Sequence, residues 1–305
     1  MAFLQVQLLA GMHFTQLNYF RMKQFSKYKA ATCDFQIIMS SDNSLPVHPD
    51  LRDANGDKLM WSVSIEHGRS FVVNKTVDNR YIITKGNGLS YSTASFLNTS
   101  EFGDDTWGLL LKKDAIRDFT LGKEIEALGI VTNKMEYVLE LQSEINLPNG
   151  HIVKPVILQY SVKCPYRISD AAFMRKDDMA NAVDKWEAFN TAGHEAKYLI
   201  AAEVLIKNLR ILHDNNVLHN AIHAQNYTWA LELLDFELAC SPKTPYERED
   251  YQRHAIDLFP REIMQTYQVI NYIACALGEK INFSQVDNLF KSYGFDIGNF
   301  VCKFA

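Results

Sequence analysis

The strongest constraint on how this chain can fold is a change of texture near residues 160 to 176, where short β-type runs give way to long helical ones. From about Leu59 to Tyr160 the sequence reads "KLMWSVSIE", "SFVVNKTV", "RYIITKG", "WGLLLKK", "MEYVLELQ" and "VKPVILQYSV", with HG, DN and NG turns between runs. Their lengths and β-branched content suit a largely antiparallel sheet. One helix interrupts it: "DAIRDFTLGKEIEALG", Asp114 to Gly129, puts Ile116, Phe119, Ile125 and Leu128 at near-helical spacing and ends on glycine. From about Asp177 the texture is helical, with "EAKYLIAAEVLIKNLRILHDNN" the strongest helix and "IMQTYQVINYIACALG" a second. The expectation is an α+β chain of two lobes: residues 56–162 β-rich with one helix, residues 163–305 helical, and residues 1–55 an N-terminal extension packing on the first lobe. Within that extension "SSDNSLPVHPDLRDANGD" reads as a polar, turn-rich surface loop.

Bulk properties narrow the function. With 305 residues the chain can build two modest lobes, and a net charge of -5 gives no electrostatic footprint for nucleic acid or anionic lipid. The five cysteines are scattered and never in C-x-x-C spacing, so neither a zinc ribbon nor a disulfide framework is expected. The apolar start "MAFLQVQLLAGMHF" lacks a preceding positive charge and reads as part of the fold. No later segment reaches the ~18 to 20 apolar residues of a membrane span. A cytoplasmic protein with no membrane and no nucleic-acid partner is the expectation.

Chemistry concentrates in "NVLHNAIHAQNYTWALELLDFELA", Asn216 to Ala239. His219 is followed seven residues on by Asn226, and nine further by Asp235 with Phe236 and Glu237 behind it. That is close to a phosphoryl-transfer skeleton, H-x-D-x-x-x-x-N followed by D-F-G, except that Ala221 stands where the basic aspartate would be. Such chemistry needs a divalent metal on the phosphates, and magnesium takes oxygen from one or two protein groups. Asn226 and Asp235 would supply that pair if "YTWALELL" folds as a tight hairpin that returns the aspartate beside the asparagine. Either residue alone reads as a cap or turn; together with His219 and Phe236 they read as a nucleotide site. His219 is expected to brace the loop, and His223 is either a base or a solvent-facing loop residue. Upstream, "ITKGNGLSYS" ends a strand on Lys85, Gly86 and Gly88. Glycines let backbone N–H groups approach phosphate and a lysine adds charge, though a lone K-G-x-G is most often a turn. ATP and Mg2+ are thus the expected cofactors, lying in the cleft of a protein-kinase-like two-lobe fold.

"KGNGLSYST" followed by "GLLLKKDAIRDFTLGKEIEALGIVTNKMEYVLEL" resembles the selenoprotein O family of protein adenylyltransferases. Members carry K-G-x-G-x-x-x-Y-S, G-R-A-V-L-R-x-x-I-R-E-F-x-x-S-E-A, L-G-I-P-T-T-R-A-L and H-G-x-x-N-T-D-N-M. Lys85, Gly86, Gly88, Tyr91, Ser92, Ile116, Arg117, Phe119, Leu128, Gly129, Ile130 and Thr132 match, as do His219 and Asn226. The family's interval from that asparagine to the metal-binding aspartate is also nine residues. The resemblance covers roughly residues 80 to 240. It implies that Lys85 contacts nucleotide phosphates and pairs with Asp118, that Asn226 and Asp235 bind magnesium, and that Arg167 holds phosphates of an inverted ATP. Lys113 occupies the place of the arginine in A-V-L-R.

The departures define the rival readings. The family's first phosphate-binding arginine falls on Tyr160, with Lys163 as a substitute, and Gln225 replaces the acidic residue before the asparagine. Asp118 replaces a glutamate, about ten residues later than the family interval from the lysine. Cys302 matches the family's terminal selenocysteine or cysteine in place alone. The leading expectation is transfer of AMP, and secondarily of phosphate, to a hydroxyl on a protein or small-molecule acceptor. A nucleotide-binding pseudokinase is the first alternative. A small-molecule kinase is the second, since "LHNAIHAQN" and "LLDFELA" also resemble L-H-G-D-x-H-x-x-N and I-D-F-E-x-A of the aminoglycoside and choline kinases. Ala221 argues against that chemistry, because losing a general base typically costs ~10² to 10⁴ in rate. "EREDY", Glu247 to Tyr251, would belong to an acceptor pocket or, more simply, to a solvated face.

Overall fold

The computed structural model describes residues 25–32, 34–41, 50–62, 70–87, 109–142, 144–146, 152–172, 174–189, 196–245 and 255–297. Its centre is a seven-stranded antiparallel sheet in the order β1-β3-β4-β5-β9-β6-β2, formed by β1 (Phe25–Thr32), β2 (Phe35–Ser40), β3 (Asp50–Ser62), β4 (Ser70–Lys75), β5 (Tyr81–Lys85), β6 (Lys134–Leu141) and β9 (Val156–Val162). A two-residue-per-strand hairpin, β7 (Ile145–Asn146) with β8 (Ile152–Val153), links β6 to β9. β5 pairs with β9, so Lys85 lies opposite Leu158, and β9 pairs in turn with β6.

One expectation is corrected here. The "DLRDANGD" stretch lies within strand β3 rather than in a surface loop: β3 pairs with β1 over Asp50–Asp53 and again over Lys58–Trp61, with the register jumping between them opposite Tyr28/Lys29. Turn-favouring residues set a weak local preference, and a cross-strand partner overrides it. The N-terminal segment therefore supplies strands to both edges of the sheet, β1 beside β3 and β2 beside β6.

Helix α1 (Lys112–Ala127) runs across this sheet and buries Ala115, Asp118, Phe119, Leu121, Gly122 and Ile125. Of the periodic face read from the sequence, Phe119 and Ile125 are buried while Ile116 and Leu128 are half-buried, and the aspartate among the buried residues is the anomaly. A Cβ on Gly122 would lie 2.5 Å from the Met135 tip and 3.2 Å from the Phe236 ring, so its missing side chain lets Phe236 tuck beneath the helix.

Beyond β9 come short 3-10 turns and α2 (Lys176–Val183), then α3 (Lys197–Asp214), α4 (Ala255–Leu277) and α5 (Phe283–Ser292). Helix α3 packs on α4 and α5 through an apolar face that includes Leu199, Leu205, Leu209 and Leu212, all buried. The order is α+β as expected, a β-rich part with one helix followed by a helical part. Among the described residues no helix is long and apolar enough to cross a membrane.

Candidate nucleotide and metal site

Strand β5 has four consecutive buried residues, and its last, Lys85, is 2% exposed. A buried ammonium must be paired, and this one has three anionic partners. Lys85 Nζ donates to Asp118 Oδ2 at 2.8 Å and to Asp235 Oδ1 at 2.7 Å, and lies 2.6 Å from Glu237 Oε1. Asp118 uses its other oxygen as well: Oδ1 accepts the Phe236 N–H at 3.0 Å. The helix aspartate thus holds the strand lysine and the backbone of the D-F-E segment at once. Burial pushes the Asp118 carboxyl up to about 6, with Lys85 pulling it down and Asp235 and Glu237 pushing it further up.

The D-F-E segment reaches this point through the expected hairpin. Leu234 N–H donates to Asn226 O at 2.9 Å, Thr228 N–H to Glu232 O at 2.9 Å, and Tyr227 bridges Leu233. Leu231, in the turn, and Asp235, at the exit, have φ of 58° and 66°. Aspartate tolerates that left-handed conformation better than most residues do. Asn226 Nδ2 donates to Ala221 O at 2.9 Å and lies 3.5 Å from His223 Nε2. That contact fixes the amide, with Oδ1 as its remaining acceptor.

His219 is buried and structural. Its Nε2–H donates to Leu234 O at 2.8 Å, its Nδ1 accepts the Ala221 N–H at 3.3 Å, and its ring meets Phe236 edge-on. These contacts select the neutral Nε2–H tautomer. Burial lowers its pKa below 6.5, against the opposing pull of Glu262, the Leu234 carbonyl and Asp235. A group with a depressed folded pKa binds its proton more readily in the unfolded chain, so stability is full above about pH 6.5 and is lost as pH falls. Urea midpoints measured across pH 5 to 7 should therefore drop with acid in the wild type and drop less steeply in His219→Gln, by up to ~1.4 kcal/mol per pH unit.

Two buried carboxylates anchor the loop from outside. Glu232, in the hairpin turn, pairs with Arg80 Nη2 at 2.9 Å and accepts the Lys163 N–H at 2.9 Å and the Thr228 hydroxyl at 3.1 Å. Burial pushes the Glu232 carboxyl up while Arg80 and the N–H donors pull it down. Arg80 also donates to Ser161 O at 2.8 Å, so one ion pair joins β5, β9 and the hairpin. Glu262 of α4 accepts the Asn220 N–H at 2.7 Å and meets His213 Nε2 at 2.9 Å. Downstream, Arg117 donates to Ala239 O at 2.7 Å, and Glu124 accepts the Ser241 and Thr244 hydroxyls at 2.5 Å. Helix α1 thereby holds the chain from Phe236 to Thr244, immediately after Asp235.

The residues singled out from the sequence fall into distinct positions. Lys85, Asp118 and Asp235 converge, and the hairpin brings Asn226 alongside. Arg167 is buried, its guanidinium donating to Gln225 O at 2.8 Å, one residue from Asn226. Lys113 is exposed in the first turn of α1 and Lys163 is exposed after β9, while Tyr160 is buried. Gly86 has φ 99°, and a Cβ there would meet Val156 O at 2.6 Å, so strand packing alone requires this glycine. Gly88, Tyr91, Ser92, Cys302 and Glu247 to Tyr251 lie outside the described residues. Sequence reasoning did not single out Glu237, although the third letter of D-F-E was its signal. Arg80, Glu232 and Glu262 gave no signal, because nothing in their spacing marks them as buried.

Asp118, Asp235 and Glu237 each offer a carboxylate oxygen, all within 4.8 Å of one another. Oxygen donors suit a hard divalent cation, and three carboxylates around one ammonium leave negative charge for such a cation to neutralise. The donor set therefore fits magnesium.

No protein-family profile matches the chain, and no curated protein matches it. Among solved structures, it is similar to the Toxoplasma gondii specific rhoptry antigen kinase domain at 10% identity and TM-score 0.36, covering 78% of this chain and 76% of that one. It is also similar to the ROP18 kinase domain in complex with AMP-PNP and sucrose at 9% identity and TM-score 0.33, covering 87% and 85%.

Proposed function

We propose that this chain is an ATP- and magnesium-dependent transferase of selenoprotein O-like type, moving AMP, and secondarily phosphate, to a hydroxyl acceptor. The observation that carries the reading is the buried Lys85 joined to both Asp118 and Asp235. A strand lysine, a helix carboxylate and a post-hairpin aspartate are the parts that hold phosphates and their metal. Asp235, with Asn226 through Oδ1, would hold Mg2+, which supplies charge stabilisation on the phosphates. Lys85 serves the same phosphates once they are present, and Arg167 adds a cation beside Asn226. His223, near the Asn226 amide, is the one loop histidine placed to take a proton. Ala221 cannot do so, and a loose transition state that relies on positioning and charge tolerates a weak base.

Ala221 and Gln225 favour a second reading, a pseudokinase that binds nucleotide without turnover. Intact-protein mass spectrometry after incubation with ATP and Mg2+ separates the two. A gain of about 329 Da marks self-adenylylation and one of about 80 Da a kinase. Asp235→Ala is expected to abolish the gain, and an undiminished signal in that variant would remove Asp235 from the site. Metal-dependent ATP binding with no pyrophosphate, ADP or modified product, tested with candidate acceptors, would put the pseudokinase ahead.

A further inference from the structure

We infer that Glu237 is a lock on Lys85 that admits nucleotide as its metal complex and excludes the bare polyphosphate; this rests on the nucleotide site proposed above. An ammonium has three N–H donors. Asp118 at 2.8 Å and Asp235 at 2.7 Å accept two of them, and Glu237 Oε1 stands 2.6 Å away as the third anion. Lys85 is thus enclosed by carboxylates, and a phosphate competes for it with Glu237 until that carboxylate withdraws. Asp118 is the least able to move, because it is buried in α1 and its second oxygen is committed to the Phe236 N–H. Asp235 and Glu237 are the partly exposed members, at 24% and 19% of their side chains. These two are also the carboxylates a divalent cation would draw toward itself.

Charge points the same way. The cluster presents three carboxylates against one ammonium, and a metal-free polyphosphate approaching it meets like charge. A divalent cation offsets that excess and offers Asp235 and Glu237 a stronger partner than the lysine, which frees N–H donors as the phosphates arrive. Metal and nucleotide thus bind with positive coupling, and Glu237 is the residue that sets its size.

The test is calorimetric titration of the full chain with ATP, in Mg2+ and in EDTA, for wild type, Glu237→Gln and Glu237→Ala. Glutamine keeps shape and removes charge; alanine removes both, and thermal melting verifies that each variant folds. The ratio of metal-free to metal-supported Kd is expected to fall by roughly tenfold or more in both variants, the effect of removing one close charge. Wild-type ATP binding as tight in EDTA as in Mg2+, or a ratio unchanged by either substitution, overturns the lock and leaves the nucleotide site standing. No ATP binding by the wild type in either condition overturns the site, and the lock with it.

Discussion

Arg80→Met is expected to destabilise the protein by about 3–5 kcal/mol, the usual cost of breaking a buried ion pair from one side. The methionine fills the space but leaves Glu232, which is fully buried, with backbone N–H donors and a hydroxyl as its remaining partners. The Glu232 carboxyl already sits above its ordinary pKa because burial outweighs its partners, and losing Arg80 raises it further. A carboxyl with a raised folded pKa binds more protons in the folded chain, so the variant's deficit should grow as pH rises above the ordinary carboxylate range. Urea unfolding at two pH values checks both magnitude and sign. Glu232→Gln added to Arg80→Met should recover part of the loss, since the double variant leaves no lone charge, and full additivity would contradict the pairing.

Lys85→Met separates metal from nucleotide. Without the lysine, Asp235 and Glu237 lose the cation they share, while Asp118, already pushed up to about 6, moves further toward its neutral form. Affinity for Mg2+ alone should rise because its competitor is gone. Affinity for the Mg2+ complex of ATP should fall by roughly 10- to 100-fold, the value of one or two charge-assisted hydrogen bonds to phosphate. Titrations with metal alone and with metal plus nucleotide read the two effects separately, and a parallel fall in both would make Lys85 a structural residue.

Helix α1 was legible as a period: its bounds, Lys112–Ala127, differ by two residues at each end from those read off the sequence, as helix ends commonly do. The hairpin was legible from the nine-residue interval between Asn226 and Asp235. Strand β3 was hidden by its own composition, since Asn55 and Gly56 carry a turn signal; they fall in the register jump between Asp53 and Lys58, and the residues on either side pair with β1. The buried charges were hidden for another reason. Arg80 and Glu232 meet across 152 residues, and neither helical nor strand periodicity marks a charged residue as one that will be enclosed. Glu237 was visible as a letter of D-F-E, but its contact with Lys85 depends on the left-handed turn at Asp235, a backbone detail no side-chain pattern encodes.

Trp229 lies on the hairpin between Asn226 and Asp235, stacked on Trp186 with rings 2° from parallel and centroids 5.8 Å apart, and Trp186 Nε1–H donates to Trp229 O at 2.7 Å. Both indoles are fully buried. The segment that joins Asn226 to Asp235 is thereby built around two stacked chromophores. A change in the packing of that segment is expected to register in the near-ultraviolet signal of the chain without a label.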